Sequence, residues 1–147
     1  MVVQVLGRER MKYDRTEARR LYEEARSLDL SGWNLLRDPE VVVRECNGIG
    51  ADWMPASVTS LVTKLNAVME LPAAIHDRRY TIGGNRADRN AADLEFLTNT
   101  LKVIGTRYAW YSPMRYIMSR RAVRYYSYLQ LFGDAAWEAA KREQRKN

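Results

Sequence analysis

The sequence of 147 residues contains one cysteine, Cys46, and one histidine, His76. A single cysteine excludes an intrachain disulfide, so the fold must be held together by its core alone. One cysteine and one histidine also argue against a structural zinc site, which is usually built from four such side chains. Any catalysis by histidine must therefore centre on His76.

Long apolar runs are absent as well. No stretch of the sequence approaches the roughly 20 apolar residues that a transmembrane helix needs. Residues 1–6 are mostly apolar, but charged residues follow from Arg8 onward, which is unlike the apolar centre of a signal peptide. We therefore expect a soluble protein without a signal peptide, which would contact membranes only peripherally.

The composition is that of a single globular domain with an excess of positive charge. Apolar residues make up 46% of the chain and charged residues 29%, and the formal net charge is +6. That charge favours an anionic partner, either a phospholipid surface or a nucleic acid. Nucleic acid is the weaker candidate, because the sequence has no nucleic-acid-binding motif and its basic residues are spread along the chain.

Helical periodicity dominates the pattern of apolar residues and predicts an all-α fold. Helices are predicted over residues 16–28, over residues 55–67, from Pro72 to the Gly83-Gly84 pair, from a cap at Asp88 onward, from residue 112 to a stop at Gly133, and over residues 134–145. The three valines at positions 41–43 are the one candidate for a strand.

Several polar residues fall at informative positions on these helices. Tyr80 follows His76 by four residues and therefore lies on the same helix face. Asp93 lies beside the apolar stripe of the next helix, and a buried carboxylate is costly unless it is paired. A loop with two glycines, Asn47-Gly48-Ile49-Gly50, precedes both helices. These features make the two helices the candidate site.

Taken in order, the segments Asn47-Gly48-Ile49-Gly50, His76-Asp77-x-x-Tyr80 and Ala92-Asp93-x-x-Phe96-Leu97 resemble the phospholipase A2 superfamily. They are most similar to its disulfide-free forms, such as the lipase domain of parvovirus capsids and small phospholipase-like proteins of phages and prophages. The resemblance spans residues 46–133. It implies two catalytic helices packed antiparallel beside a calcium loop, with a helical extension over residues 1–40 and a C-terminal helix and tail over residues 134–147.

The resemblance also implies a calcium site. Calcium is a hard cation that takes six to eight oxygen ligands. By resemblance, the backbone oxygens of Cys46, Gly48 and Gly50 and the carboxylate of Asp77 would bind Ca²⁺. The ion would polarise the ester carbonyl of a phospholipid and stabilise the negative charge that develops on its oxygen.

The same resemblance assigns roles around the histidine. His76 would act as the general base that takes a proton from the attacking water. Asp93 would accept a hydrogen bond from the other ring nitrogen and fix the tautomer, and Tyr80 would steady the network. Asp88 is the alternative to Asp93 as the orienting carboxylate, although it also suits a helix cap.

Two further questions stay open at the level of sequence. Arginines and tyrosines are interleaved over residues 115–128, where they would either bind anionic lipid headgroups or divide between solvent and core. The chain is expected to be either a phage or prophage phospholipid hydrolase or a non-catalytic virion or host-interaction protein on the same scaffold. In either case it would lie in the host cytoplasm or the virion and act at membranes.

Overall fold

The computed structural model describes residues 13–46 and 56–146, and the predicted calcium-loop residues Gly48 and Gly50 lie outside these ranges. Every regular element in the described part of the chain is helical, which confirms the all-α prediction. The elements are α1 (Arg15–Ser27), a 3₁₀ helix (Trp33–Leu36), α2 (Pro39–Glu45), α3 (Ala56–Ile82), α4 (Arg86–Arg107) and α5 (Pro113–Lys146).

Residues 13–46 are mainly helical, but two of their details differ from prediction. Helix α1 begins one residue before the predicted start, with Asp14 as its cap, and the side chains of Asp14 and Glu17 bond reciprocally to the backbone. The valines at 41–43 lie in α2 and not in a strand. Asp38 caps that helix and proline occupies its first turn, and these local signals outweigh the strand preference of valine.

Helix α3 is longer than predicted, because Pro72 lies inside it and does not begin it. A proline within a helix removes one backbone hydrogen bond and crowds the preceding turn. Residues Leu65, Val68 and Met69 before the proline and Ile75 after it are all buried, so apolar packing continues along the helix on both sides. That packing offsets the local cost of the proline.

Helices α4 and α5 also begin or end at residues other than those predicted. Asn85, not Asp88, caps α4, and Asp88 completes the capping box by bonding back to the Asn85 backbone. Helix α5 continues through Gly133 to Lys146, so the described residues 134–146 do not form a separate helix. Glycine costs a helix only about 1 kcal/mol, and close packing at Gly133, described below, accounts for its presence there.

The helices share one main core, in which α3 is central and packs against every other described element. Helices α3 and α4 run antiparallel, because His76 pairs with Asp93 near one end while Arg107 bonds the carbonyl of Ala67 near the other. Helix α5 packs against both. Within the described ranges, no helix combines the length and apolar character needed to cross a bilayer.

Candidate active site

The site is built around a buried carboxylate on α4. Asp93 has no exposed surface, and its Oδ1 lies 2.7 Å from Nε2 of His76 on α3. An ionised carboxylate can only accept hydrogen bonds, so this contact requires the tautomer in which Nε2 carries the proton and donates it to Asp93. The other ring nitrogen, Nδ1, is then the basic atom of the imidazole. The His76 side chain retains 11% exposure, so it is the more accessible member of the pair.

Tyr80 completes the part of the site that the sequence predicted. Its hydroxyl donates to the same Oδ1 of Asp93 at 2.6 Å, and its ring lies 4.2 Å from the His76 ring, centroid to centroid. Burial, followed by the hydrogen bond to Asp93, raises the pKa of Tyr80 well above its ordinary value. The phenol therefore stays protonated and acts as a donor.

Helix α5 supplies the contacts to the second carboxylate oxygen. The side-chain amide of Gln130 donates from Nε2 to Oδ2 of Asp93 at 3.0 Å. Arg89, on α4 one turn before Asp93, places Nε 3.8 Å from the same oxygen, which is too long for a hydrogen bond but close enough for charge attraction. Asp93 thus has three hydrogen-bond donors and one guanidinium, which together offset the cost of burying its charge.

Arg89 is itself fixed by α5. Its Nη1 pairs with the carboxylate of Asp134, and its Nη2 donates to the backbone carbonyls of Leu129 and Gln130 at 3.2 and 3.5 Å. Its Nε has no hydrogen-bond partner among the described residues. The guanidinium therefore joins α5 to the carboxylate at the centre of the site.

Gly133 allows α5 to approach this closely. A Cβ atom added there would lie 2.8 Å from Nη2 of Arg89 and 3.1 Å from the hydroxyl of Tyr80. Both distances are shorter than ordinary carbon contacts. The glycine that the sequence suggested as a helix stop is therefore a packing position against the site.

Aromatic rings enclose the polar cluster. Phe96 meets the His76 ring edge-on at 5.3 Å, and Trp137 meets the Tyr80 ring edge-on at 5.0 Å. Tyr125 packs against Phe96 at 5.5 Å. Such rings lower the local dielectric, which strengthens the hydrogen bonds to Asp93.

The predicted metal ligands are only partly described. Asp77 follows His76 on α3, and its negative charge helps to raise the pKa of the Cys46 thiol, after the larger effect of burial. The Asp77 carboxylate thus acts electrostatically on Cys46, the residue at which the predicted calcium loop begins. The Cys46 thiol is buried and donates to the carbonyl of Ala74 at 3.4 Å. In the described ranges, no group of three or more His, Cys, Asp or Glu side chains could hold a metal.

The alternative orienting carboxylate, Asp88, lies elsewhere. It is exposed and bonds to the backbone of Asn85 at the start of α4. The structure brings His76, Tyr80 and Asp93 together and leaves Asp88 outside that group, while the catalytic roles of these residues stay predictions.

Two residues of the site, Arg89 and Gln130, were not predicted from the sequence. The spacing of Arg89 four residues before Asp93 was a usable signal, whereas nothing in the sequence placed Gln130 here.

The alternating arginines and tyrosines divide between core and surface. Tyr125 is buried in the main core and Tyr128 packs against it, while Tyr116 is exposed. Arg120 and Arg124 are also exposed. The segment therefore divides between solvent and core, and binding of lipid headgroups by its exposed residues stays a prediction.

The N-terminal part packs beside the site helices. The backbone of Ser31 exchanges two hydrogen bonds with the amide of Asn99 on α4, at 2.9 and 2.8 Å. The carboxylate of Glu95 on α4 accepts a hydrogen bond from the hydroxyl of Ser31 at 2.8 Å. It also accepts hydrogen bonds from Nε and Nη2 of Arg79 on α3, each at 3.0 Å. These contacts fix the connection after α1 against α4, and Glu95 in turn joins α4 to Arg79 of α3.

Comparison with known proteins gives no relative: no family model, no curated protein and no solved structure matches this chain.

Proposed function

We propose that the chain is a calcium-dependent phospholipase A2-type hydrolase, of phage or prophage origin, that cleaves acyl esters of phospholipids with a His-Asp dyad and an activated water. The observation that carries the proposal is the 2.7 Å contact between Nε2 of His76 and the fully buried Asp93. A histidine held in this way has one nitrogen fixed as a donor and the other available as a base.

The chain's own residues would divide the work as follows. Nδ1 of His76 takes the proton from a water molecule as that water attacks the ester carbonyl. Asp93 accepts the hydrogen bond from Nε2 and stabilises the positive charge that the ring gains. Tyr80 and Gln130 hold the two oxygens of Asp93, so the carboxylate cannot rotate away from the ring. After attack, His76 returns the proton to the leaving alkoxide.

Calcium fits the described part of the predicted ligand set. The carboxylate of Asp77 acts electrostatically on Cys46, the first residue of the predicted loop, and the remaining protein ligands would be backbone carbonyls. A set with a single carboxylate is consistent with the absence of a side-chain metal cluster among the described residues. Calcium bound there would polarise the ester carbonyl and offset its developing negative charge.

A non-catalytic virion or host-interaction protein on the same scaffold is the second candidate. One observation favours it: the contacts of Asp93 join three helices, since His76 is on α3 and Gln130 on α5. Residues with that structural role would be retained even in a protein without turnover. The two candidates differ only in whether Nδ1 of His76 performs chemistry.

The deciding experiment measures fatty-acid release from mixed phospholipid vesicles, with millimolar calcium and with chelator. His76→Gln is the informative variant, because its amide retains a donor for Asp93 while it removes the base. Asp77→Asn tests the metal ligand, and circular dichroism checks that each variant folds. We expect release by the wild type with calcium, and at least about a 100-fold loss in His76→Gln.

Asp88→Asn serves as the matched control for Asp77→Asn, because Asp88 lies in a capping box away from His76. We expect Asp77→Asn to require more calcium for half-maximal release, and Asp88→Asn to behave like the wild type. Absence of fatty-acid release from folded wild type at millimolar calcium would reject the hydrolase and favour the non-catalytic scaffold.

A further inference from the structure

The positive charge of the chain is concentrated in one segment. Residues 96–133 contain six basic residues and no Asp or Glu, whereas the rest of the chain balances its 18 basic residues against its 18 acidic ones. The whole net charge of +6 therefore comes from this segment, which we call the acid-free segment. It covers most of α4, the turn that follows and the first part of α5.

The same segment contains most of the large apolar side chains that are exposed in the described part of the chain. Of the eleven large apolar side chains that are exposed among the described residues, nine lie in it: Leu101, Trp110, Tyr111, Met114, Tyr116, Ile117, Val123, Leu131 and Phe132. Exposed apolar groups are common singly, but a concentrated set beside unbalanced positive charge marks an interaction surface.

The turn between α4 and α5 is the most exposed part of this surface. Trp110 is 84% exposed and Tyr111 74% exposed, and their rings meet edge-on at 5.6 Å. Met114 is also exposed in the first turn of α5. Two large aromatic side chains at a tip have no role in the core, and tryptophan and tyrosine favour the boundary between lipid and water.

A shallow groove continues from the tip between α4 and α5. It has a volume of about 630 Å³ and is lined by Leu101, Tyr116 and Val123, with Arg120 and Arg124 at its side and no carboxylate in its lining. Arg120 donates to the hydroxyl of Tyr116 at 3.0 Å, which orders both side chains at the surface. Apolar walls beside two guanidiniums match an acyl chain next to a phosphate.

We propose that the acid-free segment is the surface on which the protein lies against an anionic phospholipid bilayer, with Trp110 and Tyr111 entering the interface and Arg120 and Arg124 contacting lipid phosphates. This inference rests on the proposed function for its lipid substrate, although its test requires no turnover. Charge complementarity selects an anionic surface, and the exposed aromatics at the tip select a lipid surface over a nucleic acid duplex.

The test uses large unilamellar vesicles of ether-linked phosphatidylglycerol and phosphatidylcholine, in chelator, with binding read by co-sedimentation. Ether lipids lack the ester, so binding is separated from hydrolysis and from calcium. Trp110→Ser/Tyr111→Ser is expected to weaken binding about tenfold or more. Its control, Ile82→Ser/Leu94→Ser, also removes two exposed apolar side chains, but from outside the acid-free segment. We expect that control to bind like the wild type.

Charge reversal provides a second, independent comparison. Arg120→Glu/Arg124→Glu and Arg19→Glu/Arg37→Glu change the net charge equally, and all four arginines are exposed. Only the first pair lies in the acid-free segment. We expect it to reduce vesicle affinity about 30-fold or more, while the second pair has a much smaller effect.

Each result decides the inference. An equal loss of vesicle affinity in both charge variants would mean that only net charge matters. Unchanged vesicle binding by Trp110→Ser/Tyr111→Ser would mean that the tip does not enter the interface. Either result overturns the inference. Tight binding of duplex DNA that depends on Arg120 and Arg124 but not on Trp110 would show that the partner of this surface is a nucleic acid and not a lipid, and would also overturn the inference. If vesicle binding depends on the tip but the protein releases no fatty acid, the proposed membrane-binding surface is supported and the proposed hydrolase activity is rejected.

Discussion

Nε2 of Gln130 lies 3.0 Å from Oδ2 of Asp93, so a side chain of α5 holds the carboxylate oxygen that faces away from His76. The distance joins residues that are 37 positions apart in the sequence. This hydrogen bond makes α5 part of the site, and not only a helix that packs over the core. The amide restrains rotation of the carboxylate, and with it the orientation of the imidazole.

Replacing Gln130 tests this restraint. In Gln130→Leu, Oδ2 of Asp93 loses its hydrogen-bond donor, and we expect kcat to fall about tenfold with little change in KM. Ser127→Ala, one turn earlier on α5, is the control and is expected to retain wild-type kcat. The ¹⁵N chemical shifts of His76, read without ambiguity in a chain with one histidine, report whether Nε2 still carries the proton. A Gln130→Leu protein with unchanged kcat and unchanged shifts would show that the amide has no positioning role.

A matched pair of substitutions on α4 distinguishes the two candidate carboxylates. Asp93→Asn removes the acceptor of the His76 Nε2 proton, so we expect kcat to fall on the order of 100-fold. Asp88→Asn alters only the capping box, and we expect normal kcat with a stability loss of at most about 1 kcal/mol. Kinetics and denaturant unfolding of both variants make the comparison. The reverse pattern would assign the orienting role to Asp88.

The two helical glycines should respond in opposite ways to alanine. In Gly133→Ala, the new methyl group would contact Nη2 of Arg89 at 2.8 Å, so we expect a net destabilisation of roughly 1–3 kcal/mol. In Gly105→Ala, the nearest atom is 3.4 Å away, an ordinary contact, so the better helix propensity of alanine should stabilise by about 0.5–1 kcal/mol. Urea unfolding measures both. Stabilisation of Gly133→Ala would contradict the close approach of α5.

Stability should decrease in alkaline solution. Burial raises the pKa of Cys46 from its ordinary value of 9.0, and those of Tyr13, Tyr80 and Tyr125 from 10.0. Above about pH 9 the unfolded chain therefore loses protons that the folded protein retains. Because the folded state then binds more protons, the free energy of unfolding must fall as pH rises.

Urea unfolding between pH 8 and pH 11 measures this dependence. Cys46→Ala should remove the earliest part of the decline, between about pH 9 and pH 10, and leave the part due to the tyrosines. An unfolding free energy that stays constant over this range would show that these groups ionise equally well in the folded state.

The proximity of His76 and Tyr80 could be expected from sequence because it depends on local spacing, whereas the pairing of His76 with Asp93 was implied by the resemblance to phospholipases A2. Tyr80 lies one helical turn after His76, and Asp93 occupies the buried face of a strongly periodic helix. In the fold, the contacts of Asp93 with these polar side chains offset the cost of burying its carboxylate.

The contribution of α5 could not be expected in the same way. Which residue of α5 reaches Asp93 depends on how that helix is positioned against α3 and α4, and this depends on tertiary packing. Gly133 and Pro72 differ from the sequence prediction for a related reason. Both residues weaken an isolated helix, but in the fold one permits close packing and the other lies within a well-packed core helix.

The location of all net charge in residues 96–133 has a consequence for how the protein would meet a charged surface. A charge displaced from the centre of a molecule gives it a permanent dipole moment, and an external field exerts a torque on that dipole. In the field of an anionic surface the molecule would turn the acid-free segment toward that surface before contact, within roughly one Debye length of about 8–10 Å. Association would then be faster than for randomly oriented collisions, and raising the salt concentration would remove the advantage.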